Sequence, residues 1–104
     1  VVVRDRQTLS EDGIFVIVVS INPRTGKLRK SPDIISRGFV YLKEQQELIA
    51  KTRGLVTKTV EQTARGMRPI NFDIVKTAVT DEVRKILFQK TGKSPIVIPV
   101  IIGV

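Results

Sequence analysis

The sequence predicts an α+β domain, a small three-stranded sheet packed on two α-helices in the order ββααβ. Two apolar runs and one change of period carry that reading. IFVIVVSI, from Ile14 to Ile21, is β-branched or aromatic everywhere except Ser20, and it is too short for a buried helix. SPIVIPVIIGV closes the 104-residue chain without a single charge. Between them, from Lys43 to Lys93, apolar residues recur at three and four instead of two, the spacing of a helix face.

The first strand is apolar on both faces, with Phe15, Ile17, Val19 and Ile21 opposed to Ile14, Val16 and Val18. NPRTGK then reverses the chain, because Pro23 presets φ and Gly26 supplies a positive one. The second strand is expected within LRKSPDIISRGFVY, broken around Pro32 and again around Gly38. A loop this short implies antiparallel pairing. The first helix is expected from Lys43, with Leu48, Thr52, Leu55, Val56, Thr59, Val60, Thr63 and Met67 on one stripe. Gly54 weakens its middle by about 1 kcal/mol, and Gly66 with Pro69 marks its stop. Asn71 is a good N-cap for the second helix, whose stripe is Ile74, Val75, Ala78, Val79, Val83, Ile86 and Leu87. Gly92 and Pro95 end it. The third strand places Ile96, Ile98, Val100 and Ile102 on one face and Val97, Pro99 and Ile101 on the other. Pro99 cannot donate to a ladder, which favours an edge strand or a bulge.

Composition removes several functions. There is no Cys and no His, so disulfides, thiolate metal sites and imidazole-based triads are excluded. Carboxylates are scattered, adjacent only at Glu11/Asp12 and Asp81/Glu82, and neighbours on a helix diverge by about 100°. An enzyme acting alone is therefore not expected. Eighteen Lys and Arg against ten Asp and Glu give +8, which favours polyanionic partners. Arg24, Lys27, Arg29 and Lys30 cluster on the hairpin, Arg65 and Arg68 sit at the helix junction, and Lys85, Lys90 and Lys93 trail the second helix. Lys27, Arg29, Lys30, Arg37, Arg65, Arg68 and Lys93 are the candidate phosphate contacts if the chain is a basic RNA-binding module.

Recognised RNA and DNA motifs do not fit. Arg37-Gly38-Phe39-Val40-Tyr41 resembles the basic–glycine–aromatic run of an RNA-recognition motif, but Val40 stands where a small residue is needed. Five aromatics in the chain are too few for a stacking platform. No Gly-x-x-Gly clamp or glycine-rich phosphate loop occurs. A helix-turn-helix would put Asp73 of NFDIVKTAV near the DNA.

Two helices cover one face of three strands, so strands apolar on both sides leave a second face to be covered. Residues 1–12 folding back would do it; another protein surface is the preferred reading. Burying about 400 Å² of such surface favours association by about 10 kcal/mol before entropy is deducted. The expected outward set is Ile14, Val16, Val18, Val97, Pro99 and Ile101, chosen because the bulkier Phe15 set suits a helix-packed core.

EDGIFVIVVSINPRTGKL, SPDIISRGFVYLKEQQELI and KTGKSPIVIPVIIGV, in this order and spacing, resemble the C-terminal domain of bacterial ribonuclease J. The likeness runs from about Leu9 to Val104. It implies residues 1–12 as a linker or the end of a preceding catalytic core, and residues 13–104 as the C-terminal domain. It also implies a cytoplasmic parent in RNA maturation and decay, with a metallo-β-lactamase domain and an inserted β-CASP domain. Such a parent degrades RNA from the 5′ end and cuts internally, using zinc-type metal ions held by His- and Asp-bearing motifs of that core. A chain without His carries none of those ligands, so no catalytic, metal or cofactor residue is assigned here. The implied partners are a homo-oligomer or related paralogue, the protein's own catalytic core, and RNA through the full-length protein, with no membrane. The implied role is non-catalytic assembly.

Overall fold

Every second residue of IFVIVVSI is buried: Phe15, Ile17, Val19 and Ile21 are at most 1% exposed, while Ile14, Val16 and Val18 are half-buried. In the computed structural model, which describes residues 12–38, 43–67 and 69–104, this run forms β1 (Ile14–Ile21). It is followed by β2 (Asp33–Arg37), α1 (Lys43–Ala64), α2 (Phe72–Thr91) and β3 (Ile96–Gly103). The fold is α+β with the expected order. Phe39, Val40 and Tyr41, expected to continue the second strand, fall outside the described residues, as does all of the 1–12 segment except Asp12.

β1 is the centre of a sheet ordered β2-β1-β3. The hairpin closes as its residues dictate. The Asn22 side chain accepts from the Arg24 N–H at 2.8 Å, and the Gly26 N–H, at φ 75°, bonds the Asn22 carbonyl at 2.8 Å. Leu28 makes one isolated bridge to Ile21; the regular ladder resumes only at Asp33, beyond Pro32. β2 pairs antiparallel with β1, and β3 pairs parallel with it.

Both helices lie against the face of the sheet that carries the Phe15 set. Leu48, Val56, Val60 and Ala64 of α1 meet Val75, Val79, Val83 and Leu87 of α2 in one core with β1 and Ile101. The buried Thr52 hydroxyl donates to the Leu48 carbonyl at 2.7 Å, so it enters the core without an unpaired polar atom. Asn71 caps α2, accepting from the Ile74 N–H at 3.1 Å, and Gly92 ends it in the left-handed region. Ile74, expected on the stripe, is half exposed, because the seam follows the four-residue spacing Val75, Val79, Val83, Leu87.

The phase of β3 differs from expectation. Its register sets Val97 opposite Phe15, Pro99 opposite Ile17 and Ile101 opposite Val19. Cross-strand partners share a face, so Val97, Pro99 and Ile101 turn to the helices; Ile101 is buried and Val97 packs on the core. The outward residues of β3 are Ile96, Ile98, Val100 and Ile102, level with Ile14, Val16, Val18 and Ser20. Ile14, Val16 and Val18 face outward as expected. Gly103 shares the inward phase, where a Cβ would lie 3.1 Å from the Phe72 ring.

Among the described residues β3 is an edge strand, one of the two placements that Pro99 favours. The Ile96 N–H bonds Gly13 and the Val104 N–H bonds Ile21, each at 3.0 Å. Even-numbered N–H groups therefore turn to β1 and odd-numbered ones to the open edge. At Pro99 that edge has no donor to present.

Candidate assembly face and basic end

The register builds the face opposite the helices row by row. Ile35, Val16 and Ile98 lie side by side across β2, β1 and β3, with Asp33, Val18 and Val100 above them and Arg37, Ile14 and Ile96 below. Ile35 is 49% exposed, Ile98 41% and Ile102 42%. The surface is apolar at its centre and along β3. It carries one acid and one base at its β2 margin, two residues either side of Ile35. Of the six residues expected here, the structure brings together Ile14, Val16 and Val18 and removes Val97, Pro99 and Ile101. The sequence reading missed Ile35, Ile96, Ile98, Val100 and Ile102 as members. The readable signal was Gly103, since a strand glycine marks close approach of another element.

The candidate phosphate contacts divide by topology. β1 ends, α1 ends, α2 begins and β3 ends at one end of the molecule. There Gly26 lies so close to α1 that a Cβ on it would meet the Ala64 Cβ at 2.8 Å. The residues that follow these two are Lys27 and Arg65. Arg24, Arg29 and Lys30 belong to the same end. Arg37 and Lys93 belong to the opposite end, where Gly38 meets Gly13 and the Ser94 N–H bonds the Asp12 carboxylate at 3.0 Å. Arg68 lies outside the described residues.

The cations of the first end are not equivalent. Arg29 is engaged, its Nε and Nη2 donating to the Val104 carbonyl at 3.1 and 2.5 Å. Lys30 meets Asp33 at 3.3 Å, an exposed pair worth little in water. Arg24, Lys27 and Arg65 are exposed, and among the described residues none of them has a carboxylate within ion-pair distance. No trio of carboxylates able to hold a metal gathers among the described residues. The adjacent Asp81 and Glu82 line a groove between the helices, and Glu82 is taken up by Lys85 at 3.3 Å. No helix among the described residues is long and apolar enough to cross a membrane.

A parallel β1–β3 pair joined through two helices, with one sheet face covered by the helices and the other left open among the described residues, defines a small two-layer α+β domain. The family model for the ribonuclease J C-terminal domain matches residues 1–104. The chain is 41% identical over 101 residues to ribonuclease J 2 of Staphylococcus epidermidis, and 39% identical over 101 residues to ribonuclease J 2 of Staphylococcus aureus. Each alignment covers 97% of this chain and 18% of the relative. The chain belongs to the ribonuclease J C-terminal domain family.

Proposed function

We propose that this chain is the non-catalytic assembly domain of a ribonuclease J-type enzyme. In that reading the parent is a cytoplasmic, metal-dependent hydrolase that degrades RNA from the 5′ end and internally. Its metallo-β-lactamase and β-CASP domains and zinc-type ions lie in the part of the polypeptide that this chain does not span. The observation that carries the proposal is the open row Ile35–Val16–Ile98, continued by Val100 and Ile102. A contiguous apolar surface of this kind on a helix-backed sheet marks a protein interface.

The partner favoured is a second copy of the same face. Asp33 and Arg37 stand symmetrically about Ile35, so a twofold axis near Ile35 would bring Asp33 of each copy to Arg37 of the other. An isologous contact needs this self-complementarity. Apolar residues at the centre and charges at the margin also match interface anatomy.

Light scattering across a concentration series tests this. The chain should change from monomer to dimer with concentration, and Ile35→Gln with Ile98→Gln should hold it monomeric while its thermal midpoint changes little. A monomer at every concentration overturns self-association. The face would then belong to the rest of the polypeptide, and adding the catalytic portion should protect β1 and β3 amides from exchange.

A further inference from the structure

The hairpin loop and the helix junction are separated by some forty residues of sequence, yet the Gly26–Ala64 approach packs one on the other. That contact collects cations that composition alone leaves scattered. Arg24 and Lys27 come from the hairpin, Lys30 from the start of the second strand segment, and Arg65 from the end of α1. Two acids, Asp33 and Asp73, lie nearby in sequence. Asp33 meets Lys30 in an exposed pair too weak to withhold Lys30 from a phosphate, and Asp73 sits in the first turn of α2, where it complements the helix dipole.

We propose that this end of the domain binds the sugar-phosphate backbone of a nucleic-acid strand. Three features select that ligand class. Arg24, Lys27 and Arg65 are exposed, and among the described residues none has a carboxylate partner, which leaves them available to an external anion. The cations stand on three separate segments around one end of the domain, and a ligand with charges in a row satisfies several of them at once. Among the described residues no exposed aromatic accompanies them: Phe72 is partly buried beneath Gly103, and the exposed Phe88 lies near the far end of α2. Without a stacking platform, recognition is of phosphates and independent of base sequence. The site is distinct from the assembly face, since Arg24, Lys27 and Arg65 lie on loops and a helix end and not on the outward rows of the sheet. Arg29 is a positioning residue here; it holds the Val104 carbonyl and with it the end of β3.

Fluorescence anisotropy with a labelled 15-nucleotide oligouridine, read from about 50 to 300 mM KCl, tests the proposal. Four phosphate contacts predict a slope of log K against log salt of about −3 for a single strand. Arg24→Glu, Lys27→Glu and Arg65→Glu together should weaken binding at least ~10-fold at ~100 mM salt and flatten the slope by about 2. The control carries the same charge change elsewhere, Arg53→Glu, Arg84→Glu and Lys90→Glu, and should change affinity less than ~3-fold. Thermal midpoints are compared first. If the first variant melts early, Arg24→Gln, Lys27→Gln and Arg65→Gln replace it and should show the same order. Oligothymidine binding as tightly as oligouridine supports contact through phosphates alone. Equal loss in both charge variants, absence of binding at the lowest salt, or equally tight binding of polyglutamate overturns the proposal.

Discussion

Gly13 stands at φ 87° immediately before β1, and its position depends on a residue far away in sequence. A Cβ there would lie 2.8 Å from the Gly38 carbonyl carbon and closer still to the Arg37 carbonyl oxygen. Strain and collision add at this site. Gly13→Ala should destabilise the domain by about 2 kcal/mol or more, read by urea denaturation. The Gly13–Gly38 approach could not be read from the chain, because each glycine only marks a break until the register brings the two together. Asn71 is the opposite case. Its cap is local, three residues from the N–H it serves, and was therefore legible.

At the level of elements, what could be read followed from how much contrast a pattern holds. α2 alternates buried and exposed residues, so the seam Val75, Val79, Val83, Leu87 was visible, with only Ile74 misplaced. β1 carries Phe15 in one phase, and that bulk identified its inward face. β3 is apolar in both phases, and nothing in Ile-Val-Ile-Pro-Val-Ile-Ile distinguishes inside from outside. Its face was set by a neighbour: parallel pairing with β1 fixed Val97 opposite Phe15, and a Cβ at position 103 would press on the Phe72 ring at 3.1 Å. Val97, Pro99 and Ile101, half of the set expected to turn outward, consequently lie on the helix side of the sheet. Helix α1 contains a simpler defect. Gly54 is exposed, in mid-helix, and apart from its chain neighbours and its own helix backbone no atom lies within 4 Å of where its Cβ would stand. Gly54→Ala should raise stability by about 0.5–1 kcal/mol, measured as a shift of the denaturation midpoint at unchanged slope.

Across the whole molecule, the sheet face and the basic end are separate surfaces with different physics. The first would respond to loss of apolar area and little to salt; the second would weaken steeply as salt rises. The sequence made both suspicions available, through two-sided apolar strands and a charge of +8. It could not say that Arg37 and Lys93 stand apart from Lys27 and Arg65, because that division belongs to the order in which elements begin and end at each pole.

The absent donor at Pro99 carries a consequence for how large an assembly can grow. Two edges of a sheet that join by hydrogen bonding leave two more edges free, so edge joining has no natural end and leads to fibres. Faces that meet about a twofold axis use themselves up. A strand whose exposed edge is interrupted at its middle resists the first route and leaves the second open. Pro99→Val should restore the row of donors, and thioflavin-positive, sedimentable material should then accumulate on prolonged incubation, while the unaltered chain grows no larger than a dimer.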